Sequence, residues 1–200
     1  MGVEIIFNKR MSNRWQLMGS ITISKNGGNI SNTYGASWGR SGFYDNPNDR
    51  INDYGRLFFD RPLVIKLQGT YQAPFGINAS FYYTHYSGTP WNRTIRVYGL
   101  NDSAGVFNVI NVEKPGSRRN PPVDNLDLRF EKTFRLGPGQ LGIFVDIFNA
   151  LNSGYVNIYQ GWQGKLYYPS GTWKPNPRWL NEITGLTSPR VFKVSCRYSF

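Results

Sequence analysis

The chain has 200 residues, 40% of them apolar and 16% aromatic, and 23 Lys and Arg against 12 Asp and Glu give it a formal charge of +11. This content excludes a disordered chain, and the length allows one domain or part of one. No run approaches the roughly 18 consecutive apolar residues of a membrane helix, and the first ten residues lack the long apolar core of a signal peptide. A single cysteine, Cys196, and a single histidine, His85, exclude an internal disulfide framework and a zinc-type site.

Wherever a hydrophobic period is visible it is 2, the period of a strand with one apolar face. The alternation predicts seven strands, near 3–10, 14–25, 58–72, 77–87, 124–136, 140–149 and 190–200. Val3, Ile5 and Phe7 mark the first, and Trp15, Leu17, Ile21 and Ile23 the second. In the third, Leu63, Ile65, Leu67 and Tyr71 alternate with Lys66, Gln68, Thr70 and Gln72. Ile77, Ala79, Phe81 and Tyr83 carry the fourth, Leu126, Leu128, Phe130 and Phe134 the fifth, and Leu141, Ile143, Val145 and Ile147 the sixth. The last sets Phe192, Val194, Cys196, Tyr198 and Phe200 against Lys193, Ser195, Arg197 and Ser199.

The connections alternate between short and long. Short turns are expected near Met11-Ser12-Asn13, at Ala73-Pro74-Phe75-Gly76 and at Gly137-Pro138-Gly139-Gln140, while polar stretches fill 26–57, 88–123 and 150–189. Three such long connections are foreign to a compact soluble domain, and short turns opposite long loops are the habit of an outer-membrane barrel. The expected fold is therefore all-β: an antiparallel up-and-down transmembrane barrel segment, with turns on the periplasmic side and loops outside. Its apolar stripe would face lipid, and Lys66, Arg129, Glu131, Lys193 and Arg197 would line a hydrated lumen. Trp15, Phe75, Phe134, Tyr198 and Phe200 lie near the short turns, where an interfacial girdle belongs. Lys132 has the parity of the lipid face, so its amine would have to snorkel past the nearby turn.

Four segments resemble the late strands of TonB-dependent outer-membrane receptors of the type that carries a carboxypeptidase-regulatory-like domain. They are Asp60-Arg61-Pro62-Leu63 through Gly76, Asn125 through Leu136, the strand end Phe144-Val145-Asp146-Ile147-Phe148-Asn149-Ala150-Leu151-Asn152, and the closing strand Arg190 through Phe200. The resemblance implies a barrel of about 22 strands, plugged by an N-terminal domain, that takes up a large nutrient (glycan, siderophore or peptide class) with energy relayed by TonB. It makes residues 1–200 the C-terminal portion of such a barrel, a fragment without plug or early strands, in the outer membrane of a Gram-negative-type bacterium. The implied partners are outer-membrane lipid and lipopolysaccharide, the rest of its own barrel and plug, the TonB complex through that plug, and the barrel-assembly machinery. Tyr198 and Phe200 would carry the assembly signal in the last strand.

No catalytic residue, metal site or cofactor is expected. His85 has no second histidine or cysteine beside it, and Asp45 through Asp53, though rich in carboxylates and amides, lacks the spacing of a calcium loop. The ligand-contact candidates are loop aromatics: Tyr34, Trp38 and Tyr44 in the first loop, Trp91 in the second, and Tyr159, Trp162, Trp173 and Trp179 in the third. Binding ligand and packing on one another are both open to them. Basic residues scattered through the sequence rather than clustered argue against nucleic acid. Two other readings fit the composition: a secreted β-sandwich that binds carbohydrate through loop tryptophans, and a small barrel with surface enzymatic activity.

Overall fold

The computed structural model describes residues 1–29, 51–100, 107–154, 161–177 and 187–200. Seven strands rich in β-branched and aromatic residues build its main sheet: β1 (Gly2–Ser12), β2 (Trp15–Ser24), β3 (Leu63–Ala73), β4 (Ile77–Tyr86), β5 (Val123–Leu136), β6 (Gly139–Phe148) and β7 (Val191–Ser199). Each pairs antiparallel with the next in sequence, so β1 and β7 are the two edges. The all-β class and the seven antiparallel strands agree with the alternation. Among the described residues β1 and β7 each pair on one side only, which leaves the sheet open.

The turns explain the tight end. Asn13 and Arg14 both have positive φ (50° and 68°), the two-residue hairpin geometry that follows strand twist. This puts the first turn one residue later than the Met11-Ser12-Asn13 expected. Gly137, at φ 58°, opens the Gly137-Pro138 turn, and Phe75 and Gly76, at 63° and 71°, close the middle one. β3 begins at Leu63 and not near 58, because the carboxylate of Asp60 turns away to side-chain and loop partners and Pro62 has no N–H to give a ladder.

Register sorts the two faces. Leu17, Gly69, Phe81, Leu128, Ile147 and Phe192 sit side by side across β2 to β7, as do Trp15, Tyr71, Ala79, Phe130, Val145 and Val194. Both rows belong to one apolar face. Among the described residues no second layer covers it: Val194 is 72% exposed, Phe192 64% and Ile5 55%, and Val97, outside this sheet, is the one buried apolar side chain. Gly19 and Gly69 lie within the apolar rows where the rings of Phe7 and Phe81 lean over them; a Cβ would come within 2.3 Å and 2.6 Å of those rings.

The turns also step along the sheet. The first hairpin closes at Ser12–Trp15, a row that contains Tyr71; the second closes at Ala73–Ile77, two residues further on. The third closes at Leu136–Gly139, four residues beyond the row of Ile77 and Lys132. A drift of two and then four residues, at about 3.3 Å each, over four strand spacings of about 4.8 Å means strands inclined by about 45° to the line of turns.

All three long connections leave the opposite end. They are not structureless. Gly27–Gly28 pairs with Gly55–Arg56, and Pro90–Trp91 with Arg118–Arg119. A four-stranded sheet runs in the order Thr172–Pro175, Trp162–Tyr167, Thr94–Tyr98, Phe107–Asn111. Its middle pair, from the second and third loops, is parallel.

Candidate functional site

Polar chemistry gathers in two places, the polar face of the main sheet and the loop end. On the polar face, Arg129 stands beside Asp146 and Asp146 beside Lys193; Glu131, Lys66 and Arg197 fall in neighbouring rows of the same parity. The five residues expected to share a face therefore do. Arg129 donates from Nε and a terminal nitrogen to the two oxygens of Asp146 at 2.5 and 3.0 Å, a fork-to-fork pair. Its guanidinium also lies 5.7 Å from the Phe144 ring, as does that of Arg197. A cavity of about 660 Å³ on this side is bordered by Asn8 and Arg10 of β1 and also by Asp146 and Phe148 of β6. Strands five apart in the sheet share one hollow, so the sheet is strongly curved.

The apolar face carries its few polar groups at its two ends. Lys132 sits between Ile77 and Ile143, as its parity required, and its amine reaches the Phe75 carbonyl in the adjacent turn. Lys9, which sequence reasoning overlooked, pairs with Leu17 on the same face. Its amine binds Ser12 Oγ at 2.8 Å and the Trp15 carbonyl at 3.0 Å, and lies 3.8 Å over the Trp15 ring. At the loop end, His85 Nδ1 is 2.8 Å from Asp124 Oδ1, which also accepts the Tyr83 hydroxyl at 2.6 Å. The carboxylate partner for His85 lies one strand away and 39 residues on, which is why the sequence around the histidine did not show it. Tyr198 donates to the Leu136 carbonyl at 3.2 Å, with its ring 6.1 Å from that of Phe200.

At the base of the loops two carboxylates act as anchors. Asp60 is fully buried; it accepts the Asn26 amide at 2.6 Å and a guanidinium nitrogen of Arg119, whose other arm binds the Asp60 and Gly88 carbonyls at 3.0 Å. Gly88 is needed there, because a Cβ would stand 1.6 Å from the Asn120 carbonyl oxygen. Glu113 accepts the Arg93 amide at 3.0 Å and the Nε groups of Arg93 and Arg118 at 2.8 Å. Burial pushes its carboxyl pKa up, but the hydrogen bonds from Arg118, from the Arg93 amide and side chain and from Ser117 outweigh it, and the value falls from 4.5 to about 2. Neither carboxylate was singled out in the sequence: Asp60 lies inside the stretch 58–72 read as a strand, and Glu113 in the polar stretch 88–123.

The resembling segment at the end of β6 has a structural task. Asn149, at φ 50°, donates its amide N–H to Asp127 at 2.9 Å and its side-chain nitrogen to the Ser188 carbonyl at 2.9 Å, and accepts the Ser153 amide at 3.0 Å. Asn152 accepts the Arg190 amide at 3.1 Å. The two asparagines tie the entry of β7 to the exit of β6.

Of the ligand-contact candidates, Tyr34, Trp38, Tyr44, Tyr159 and Trp179 lie outside the described residues, as do positions 45–50 of the carboxylate-rich stretch. Trp91 stacks under Arg118 at 5.3 Å. Trp162 carries the Arg96 guanidinium 4.0 Å from its ring and donates to the Gly164 carbonyl. Trp173 pairs with Leu166 and remains 46% exposed. Trp162 is brought into the company of Arg96, Tyr98, Phe107 and Tyr167; Trp91 belongs to a separate two-stranded pair. No protein-family model matches the chain, and no curated protein matches it.

Proposed function

We propose that this chain is the C-terminal part of the barrel domain of a TonB-dependent outer-membrane receptor, a transport component with no catalytic residue of its own. The observation that carries the reading is the uncovered apolar face. A water-soluble sandwich buries such a face against a second sheet. Here the second sheet is built from the loops, and Trp15, Tyr71, Phe130, Phe192 and Val194 of the two apolar rows remain exposed. Lipid is the solvent that stabilises that surface, and a hydrated lumen suits the charges opposite.

Three further features support it. An inclination of about 45° fits the strand tilt of membrane barrels, and eleven residues of β3 inclined that far rise about 25 Å, the height of an outer-membrane apolar band. The two lysines of the apolar face hold their amines at turn oxygens, as charged groups at the edge of a bilayer do. The open edges of β1 and β7 call for further strands, because an unpaired edge in lipid is costly. In this reading the remainder of the barrel and a plug complete the receptor, the loops capture the nutrient, and it passes along the side lined by Lys66, Arg129, Glu131 and Lys193. The TonB complex acts through the plug, the assembly machinery reads Tyr198 and Phe200, and lipopolysaccharide surrounds the loop end.

The reading is tested by locating the native protein in fractionated cells with an antibody against the loops. It should sediment with the outer membrane, resist alkaline carbonate, require detergent for release and show heat-modifiable mobility on gels. Recovery as a detergent-free monomer in the periplasm or medium would overturn it in favour of a secreted sugar-binding sandwich.

A further inference from the structure

The four-stranded sheet at the loop end gathers Arg96, Lys165 and Lys174 on one face: Arg96 is in register with Lys165, and Lys165 with Lys174. The four strands contain no Asp or Glu. Elsewhere around the loops Arg93 and Arg118 pair with Glu113, and Arg56 and Arg119 with Asp60, unlike Arg96, Lys165 and Lys174. These three cations have no ion-pair partner among the described residues. Aromatic rings hold them instead. Arg96 is 4.0 Å from the Trp162 ring and 4.7 Å from Phe107; Lys165 is 5.5 Å over Tyr98, and Lys174 5.2 Å over Tyr167. Tyr98 and Tyr167 are themselves stacked, with centroids 5.1 Å apart and planes 20° off parallel.

A cation over a ring keeps its full charge and loses side-chain freedom, and its hydrogen-bond donors still point outward. Such a surface is set up for anions. Beside it lies a cleft of about 360 Å³ lined by Trp162, Lys165, Tyr167, Lys174, Pro175 and Asn176, a mixture of apolar faces and polar donors at the small end of ligand-site volumes. We infer that this sheet binds an acidic polysaccharide, its sulfate or carboxylate groups meeting Arg96, Lys165 and Lys174 and a sugar ring entering the cleft. Stacked nucleobases are served less well, because the Tyr98 and Tyr167 faces are already occupied by each other and by lysines. The inference names the ligand class of the loops and rests on the proposed function only in placing them outside the cell.

The test uses the full-length protein purified in detergent, with dextran sulfate and polygalacturonate as acidic probes, neutral dextran as the uncharged control and an oligothymidylate as the competing polyanion. Both acidic glycans should bind and neutral dextran should not. The double variant Lys165→Gln, Lys174→Gln should weaken binding about tenfold and flatten its salt dependence. Arg14→Gln with Arg135→Gln removes the same charge from exposed side chains at the short-turn end of the main sheet and should change nothing. Equal loss in both double variants would make the effect one of net charge and overturn the assignment. So would undiminished binding by the first variant, or oligothymidylate binding tighter than either glycan. Heat-modifiable mobility verifies that each variant is folded; if a variant is not, Lys174→Gln alone, on an exposed side chain, is scored by the same criteria. A protein found outside the outer membrane would refute the proposed function and leave this binding test standing.

Discussion

The amine of Lys132, on the apolar face of the sheet, reaches back to the carbonyl of Phe75 in the neighbouring turn. A charge on that face is tolerated because its head leaves the face. The position should therefore accept an apolar side chain at little cost. Lys132→Leu in the lipid-reconstituted protein is expected to change unfolding free energy by less than about 1 kcal/mol, whereas Leu128→Arg, in a central row, should cost about 2–4 kcal/mol. Denaturant titration in vesicles measures both, and equal costs would place Lys132 at the bilayer midplane.

Asp60 and Arg119 fasten the first loop to the second. Arg119→Ala leaves a fully buried carboxylate with Arg56 3.8 Å away as its remaining cation. The expected cost is about 3 kcal/mol, the low end for taking one partner from a buried pair. Amide exchange should rise at Asn26, whose N–H binds Asp60, and at Asn120 next to the lost guanidinium. Unchanged exchange there would mean that the anchor is not stabilising.

Glu113 sets a pH dependence outside the strands. Its folded pKa, about 2, lies below the ordinary 4.5, so the carboxylate binds fewer protons folded than unfolded. Its contribution is complete above about pH 4.5 and is lost as pH falls toward 2. The gap in thermal midpoint between the wild type and Glu113→Gln should thus be constant from pH 5 to 8 and shrink below pH 4.5. A gap that grows on acidification would contradict the hydrogen-bond account.

Asn149 is the pivot of the β6–β7 connection. Asn149→Ala loses bonds to Ser153 and Ser188 and puts alanine at φ 50°, at an expected cost of about 1–3 kcal/mol. Asn149→Gly, which relieves only the backbone, should recover part of it. Denaturant midpoints of the two variants compare the side-chain and backbone shares.

Seven strands were legible because one face of each is apolar along most of its length, and a period of 2 needs no knowledge of partners. The faces of Arg129 and Lys193 followed from parity alone. The small loop strands were not legible: two to six residues carry no period, and Trp162–Tyr167 finds Thr94–Tyr98 across more than 60 residues of chain. The basic residues looked scattered for the same reason, since Arg96 joins Lys165 and Lys174 only through that parallel pairing. Lys9 was missed although it continues the apolar parity of Val3, Ile5 and Phe7; a charge at the end of an alternating run reads as the end of the strand. Asp60 lay inside a resembling segment, yet its burial depends on Arg119, which nothing local to it announces.

The proposed lipid-facing assignment is tested most directly by spin labels at successive positions of β6, Ile143 through Ile147, in the protein reconstituted into bilayers with Cys196 replaced by Ser. Oxygen, which partitions into lipid, should relax labels at 143, 145 and 147 most strongly. A water-soluble nickel chelate should relax those at 144 and 146. Reversed parity, or chelate access at all five positions, would contradict the account.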